Sequence, residues 1–437
     1  MARNLIGDGV VTLITRVLNL FCVAILSIIT ARLLGPHGRG IYALPLIDAG
    51  LVSAVFTGLA SSVSYFMLNK KVGRGALIPA FLTAGIFVAL GSVVVVVLAL
   101  LAHQSWAALP AIVSLPFSAS LSICLGFING VKKVRQNMLL GLLSTLLTIT
   151  LMLLGFYFIG RTPTVAIAVW LITGATVACV TTATMLYFAR RLPRIAVPFR
   201  EYFTFAIKVG LLNLITLLNY RVDVYLVAIL ASPATLGMYT IAVAAAESLQ
   251  TVTQVATIIT APHIGSLERS EALKLTSRCV RNNTALAAVL CVFVGIAAPV
   301  LIHFLYGSKF MAIIPALRVL LIGVVALSGA SALSSYFTLK MGKPEVSVVM
   351  ASISAAICFI VTMLLLPRIG ILGAAIGTAF SYLFAQVLGV WYFCRDTGET
   401  HSSVLLLKRD DVLFYRNVVR GGMHRVRAAL SGAHLPL

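Results

Sequence analysis

Seven ionisable side chains stand inside stretches of sequence that are otherwise apolar: Arg16, Asp48, Lys208, Arg221, Asp223, Glu247 and Arg318. A charge in hydrocarbon is expensive, so such groups mark ion or substrate pathways unless they snorkel or pair. Glu247 carries the strongest signal. With Gln250, Thr251 and Gln254 it makes one polar stripe at helical spacing. It lies ten residues into its apolar run, about 15 Å deep at 1.5 Å per residue, near the middle of a bilayer. A carboxyl group there can load and release a proton, or bind Na⁺, as a cavity opens to alternate sides. The plainer alternative is a protonated Glu247 hydrogen-bonded to a neighbouring helix.

Arg16 shares a helical face with Thr12, Thr15 and Asn19. A polar stripe of this kind suits a cavity wall, and a guanidinium on it can grip a diphosphate with two parallel hydrogen bonds. Snorkelling of Arg16 to the nearer surface is the alternative. Thr216, Tyr220 and Asp223 repeat the pattern further on, whereas Arg221 points to nearly the opposite side of the same helix. One of Arg221 and Asp223 then faces the cavity and the other a neighbouring helix. Asp48 is expected nearer the outer surface. Lys208 and Arg318 start their runs and are expected to snorkel. The candidate substrate contacts are therefore Arg16, Asn19, Tyr220, Arg221, Gln250 and Gln254. The candidate coupling carboxyls are Glu247, Asp223 and Asp48.

No HExxH, no Walker motif and no His/Cys cluster with metal-ligand spacing occurs. No metal or other cofactor is expected, and ATP-driven pumping by this chain is not supported. The seven cysteines are scattered, with no CxxC pair, and read as small buried apolar residues.

The elements that hold these groups follow from composition. The chain has 437 residues, is 60% hydrophobic and only 10% charged, against roughly 25% charged in an ordinary soluble domain. From Gly75 to Val131 there is no Asp, Glu, Lys or Arg, a length for two crossings of about 20 residues each. The expected fold is all-α and polytopic, with spans near 10–31, 41–66, 77–101, 107–129, 138–159, 164–189, 204–230, 237–262, 282–304, 312–337, 346–366 and 371–394. A basic tail, 395–437, follows. Of the 33 Lys and Arg residues, twenty-four fall in one alternating set of connectors and termini and five in the other. That asymmetry places both termini in the cytoplasm. It also accounts for the net charge of +21 without nucleic acid, for which short loops leave little surface.

The stretch Thr30–Leu44, TARLLGPHGRGIYAL, is rich in glycine and basic residues. It fits neither a dinucleotide nor a P-loop pattern, lacking a preceding strand. It reads as an interfacial hairpin between the first two spans, with Arg32 and Arg39 at headgroup level. Gly40-Ile41-Tyr42-Ala43 matches Gly237-Met238-Tyr239-Thr240 at an offset of 197 residues. This weak repeat predicts two six-helix lobes, 1–195 and 196–394, in parallel orientation, joined by the basic linker 189–201.

These residues carry a resemblance. ARLLGPHGRGIYAL, NYRVDVYLVAILASPATLGMYTIA, FINGVKKVRQNM and TLKMGKPEVSVV resemble the polysaccharide-transporter (Wzx-type) family of the multidrug/oligosaccharidyl-lipid/polysaccharide exporter (MOP) superfamily. The resemblance covers the chain to about Cys394. It implies two lobes facing a central cavity, alternating access, and a location in the bacterial cytoplasmic (inner) membrane. It further implies export of an undecaprenyl-diphosphate-linked oligosaccharide to the outer leaflet, coupled to H⁺, Na⁺ or the membrane potential. Its partners would be the lipid-linked oligosaccharide, membrane lipid and polysaccharide-assembly proteins. Alternatives are a cation-coupled multidrug exporter or a peptidoglycan-precursor flippase of the same superfamily, the latter usually having fourteen spans. A membrane polysaccharide polymerase or glycosyltransferase is a further alternative, against which the short outward connectors argue.

Overall fold

The computed structural model describes residues 2–101, 105–131, 133–406 and 408. Twelve long helices account for nearly all of it. They are α1 (2–34), α2 (36–68), α3 (Leu77–Leu101), α4 (Ala108–Gly130), α5 (Val134–Phe158) and α6 (Pro163–Ala189), then α7 (Phe199–Leu230), α8 (Pro233–Ser266), α9 (Arg269–Tyr306), α10 (Ile314–Ser335), α11 (Pro344–Ile369) and α12 (Ile371–Thr397). A short α13 (His401–Leu405) follows. Among the described residues the sole β-type pairing is a bridge between Gly73 and Arg194. Each of the twelve expected spans coincides with one of the long helices. Among the described residues, ten segments are long and apolar enough to cross a bilayer, the first of them, Val17–Leu68, running from the second half of α1 through α2. The outward faces are bilayer-compatible, as Val93, Phe293, Ile296 and Phe304 illustrate, each mostly exposed. The chain is a multi-pass membrane protein.

Three boundaries depart from expectation. The α1–α2 connection is a single residue, Gly35, whose φ of +68° only glycine adopts without strain. Pro36 then starts α2 with the φ a first helical turn requires. Arg39 and Gly40 thus belong to α2 rather than to an interfacial loop. Second, α9 begins at Arg269 and not near 282, because an amphipathic basic stretch continues the helix beyond its apolar part. Third, the last long helix runs on to Thr397, past the expected boundary at 394. After α12, α13 folds back so that Val404 is fully buried with Ala272 and Phe393, and the Arg281 guanidinium donates to the Ser403 carbonyl. Residues 407 and 409–437 of the tail lie outside the described residues.

The described chain divides into two compact units. The first comprises Met1–Ala245, Ala297–Val319 and Ala355–Thr378; the second comprises Ala246–Ile296, Leu320–Ser354 and Ala379–Leu437. In the first unit, Phe56, Leu59, Val63 and Phe66 of α2 pack with Ile123 of α4 and Tyr202 of α7. Helices in lipid gain no hydrophobic drive from association, so close backbone approach at small residues replaces it. Gly58 of α2 meets Ala206 and Gly210 of α7 in this way, and Gly126 of α4 meets Ala60. In the second unit, Tyr336, Phe337 and Phe393 form the core, with Tyr336 and Phe393 ring centroids 5.1 Å apart.

Candidate functional site

In the first unit the structure builds a polar centre around Asp223. Its helix, α7, is apolar enough to cross the bilayer, and Asp223 is only 1% exposed. Oδ2 accepts two hydrogen bonds, from the Tyr239 hydroxyl at 2.5 Å and from the Thr378 hydroxyl at 2.6 Å. The donors come from α8 and α12, so one carboxyl ties three helices. Oδ1 has no hydrogen-bond partner among the described residues. A buried carboxylate oxygen without a partner leaves a substantial part of its desolvation cost uncompensated. A proton on Oδ1, or a monovalent cation beside it, removes that imbalance.

Arg221 is half-buried on α7, two residues before Asp223. The Tyr225 hydroxyl of α7 donates to the Ile47 carbonyl of α2 at 3.2 Å, one residue before Asp48. Asp48 is buried, with 6% exposure. Arg221 and Asp223 thus lie on α7, and Asp48 lies on α2 where that helix is bonded to α7. Of the other candidates, Asn19 is half-buried and its Oδ1 accepts from the Thr145 hydroxyl of α5 at 2.8 Å. Tyr220 is half-buried on α7. The side chains of Arg16 and Gln254 lie outside the described residues.

The face expected to be continuously polar is not so along α7. Thr216 is exposed and returns its hydroxyl to its own helix, at the Leu212 carbonyl, while Asp223 is sealed among neighbouring helices. Sequence reading missed Tyr239 and Thr378 as the partners of Asp223. One signal for the first was available: Tyr239 is the repeat counterpart of Tyr42. The two tyrosines have diverged in surroundings. Tyr42 packs with Met152, Phe156 and Ile167 and lies under the Arg39 guanidinium at 5.3 Å, whose Nη1 donates to Thr30 at 2.8 Å.

Glu247 and Gln250 fall in the second unit, the first half-buried and the second buried. Further along α8, Thr257 accepts from the Asn283 amide at 2.6 Å and lies 3.2 Å from the Ser331 hydroxyl, which joins α8, α9 and α10. Thr284 and Gln386 converge on Gly329, with Thr284 Oγ1 at 2.9 Å from where a Cβ would stand. This second polar set was also invisible to periodicity, because it is contributed by four helices, α8, α9, α10 and α12. No group of three or more His, Cys, Asp and Glu residues with metal-binding arrangement occurs among the described residues.

Over residues 29–315 the chain matches the protein family described as polysaccharide biosynthesis protein. The chain belongs to this family. A segment of 103 residues is 29% identical to an uncharacterized membrane protein of Methanocaldococcus jannaschii, covering 24% of this chain and 20% of that one. That match spans about a fifth of the relative's length. Among solved structures, the lipid II flippase MurJ in an inward closed conformation superposes with a TM-score of 0.69 at 15% identity, over 90% of this chain and 88% of that one. An inward-facing multidrug resistance MATE transporter of the MOP superfamily gives a TM-score of 0.69 at 16% identity, over 86% and 94%. A MOP superfamily transporter from Pyrococcus furiosus gives 0.57 at 16%, over 89% and 93%. Identities this low establish a shared fold, and it is the fold that the sequence motifs resemble.

Proposed function

We propose that this protein is a flippase that moves an undecaprenyl-diphosphate-linked oligosaccharide from the inner to the outer leaflet of the bacterial cytoplasmic membrane. In this reading both termini are cytoplasmic, and two six-helix lobes, 1–195 and 196–394, expose a central cavity to each side in turn. The protein transports and does not catalyse a covalent step. H⁺ or Na⁺, or the membrane potential, drives the cycle. Moving one elementary charge through ~100 mV is worth about 2.3 kcal/mol, so a few coupled charges give a useful bias.

The observation that carries this reading is the Asp223 centre within a chain of the polysaccharide biosynthesis family. Protonation or cation binding at Asp223 changes the charge among α7, α8 and α12 and so favours one helix arrangement over another. Glu247, with Gln250 and Gln254, serves as a second coupling position. Arg16 and Arg221, with Asn19 and Tyr220, attract and orient the diphosphate, since bidentate guanidinium contacts suit that group.

The test is mass spectrometry of lipid extracts from a strain lacking the protein. Accumulation of a complete undecaprenyl-diphosphate-linked repeat unit, reversed by re-expression, is expected and would identify the sugar. An unchanged lipid profile with new sensitivity to cationic drugs would sink the flippase reading. It would move the protein to the alternative of a cation-coupled drug exporter; multidrug resistance is what the structurally similar MATE transporter is named for.

A further inference from the structure

A second site lies apart from the Asp223 centre, where α3 begins and α6 ends. Here the connector 69–76 is stitched to the connector 190–198. Arg74 N–H donates to the Pro193 carbonyl at 2.9 Å, and Ile195 N–H donates to the Val72 carbonyl at 3.2 Å. Two glycines make this approach possible. Gly73 has φ +59°, and a side chain at either Gly73 or Gly75 would overlap the backbone of Pro193 or Ile195. The clamp sets Arg74 and Arg194 side by side, and Arg190 follows directly from α6.

Between them opens a groove of about 610 Å³, lined by Arg74, Arg190 and Arg194 and by apolar side chains that include Ile78, Leu82 and Leu186. No acidic residue lines it. The three guanidiniums are exposed and make no ion pair among the described residues. The nearby Glu201 carboxylate is engaged elsewhere, 3.6 Å from Lys70. Ile78, Leu82 and Leu186 are each about half exposed, and they belong to helices that run into the hydrocarbon layer. The groove therefore joins a wall facing lipid chains to a head of concentrated positive charge.

We propose that this groove is a binding site for an anionic phospholipid of the leaflet on the basic side, its phosphate held by the three arginines and its acyl chain laid along α3 and α6. Three guanidiniums are matched to phosphate oxygens by their fork geometry. Basic pockets between membrane helices on the cytoplasmic side select anionic headgroups for the same reason. An occupant tying two connectors together would stiffen the junction between α6 and α7. The assignment does not depend on what the protein transports.

Purified protein in detergent is titrated with phosphatidylglycerol or phosphatidylcholine, and bound lipid is counted by native mass spectrometry. Phosphatidylglycerol is expected to be retained about tenfold more tightly, a preference abolished in R74Q/R190Q/R194Q. The charge-matched control K71Q/R200Q/K343Q is expected to keep the preference. Leu82→Ser is expected to weaken lipid retention with the arginines intact. No preference for the anionic lipid, or equal loss in both triple variants, overturns the proposal. Unchanged lipid retention in Leu82→Ser also overturns it, since the acyl chain would then contribute nothing. Displacement by undecaprenyl phosphate at a tenth of the phosphatidylglycerol concentration would instead assign the groove to the transported carrier.

Discussion

Gly40 and Gly237, counterparts in the internal repeat, pack against each other. A Cβ built on Gly237 would stand 2.7 Å from the Gly40 backbone nitrogen and overlap the Pro36 carbonyl; one built on Gly40 would overlap the Pro233 carbonyl. Pro36 and Pro233 are themselves repeat counterparts at the same offset of 197 residues. The repeat that is only a weak match in sequence is thus a reciprocal contact between the starts of α2 and α8. Each glycine stands where the backbone of its counterpart segment passes.

Gly40→Ala and Gly237→Ala should each destabilise the fold, by ~1–3 kcal/mol or more, because the obstruction is backbone and cannot swing aside. Gly50→Ala and Gly174→Ala, where nothing lies within 4 Å of the added methyl, should be neutral or gain up to ~1 kcal/mol in helix propensity. Thermal melts followed by size-exclusion chromatography check both. Equal effects at all four positions would contradict the close-packing argument.

Asp223→Asn keeps the size of the side chain but removes its capacity to change charge. Export should be lost while the protein remains folded at normal level. Tyr239→Phe removes one of the two donors to Oδ2, a contribution of ~0.5–1.5 kcal/mol, and should weaken coupling by about twofold to tenfold. Ion flux in proteoliposomes separates the two effects. Wild-type flux and export in Asp223→Asn would remove this carboxyl from the mechanism.

Glu247→Gln and Arg16→Ala should each abolish export with normal membrane insertion. Complementation of a deletion strain reads the first quantity, and immunodetection in membranes the second. A variant that complements fully excludes its residue from transport.

Arg32 donates from Nε to the Leu305 carbonyl at 2.8 Å and from Nη2 to the Phe304 carbonyl. A cation at the C-terminal end of α9 is favourable against its dipole, typically by 0.3–1 kcal/mol at an exposed position. Arg32→Ala should therefore lower stability by ~1 kcal/mol or less, and Arg32→Lys by a smaller amount, both read from the melting temperature. No change in either variant would mean that water replaces these bonds without loss.

The sequence by itself determined the twelve helices and their order. A run of about twenty apolar residues must satisfy its backbone internally in lipid, and only a helix does so locally. It also determined the repeat and the unusual ionisable positions, because each is a property of residues near one another in the chain. Partnerships were decided by the tertiary structure alone. Asp223 draws its hydroxyls from 16 and 155 positions away, and the groove arginines come from two separate connectors. Helical spacing says which residues share a face of α7. It does not fix the rotation of that helix about its axis or its crossings with neighbours. In helices apolar nearly all round, that rotation is set by close packing at small residues such as Gly58 and Gly210. The one-residue turn at Gly35 and the docking of α13 are of the same kind: backbone freedom permits them, and the contacts made afterwards select them.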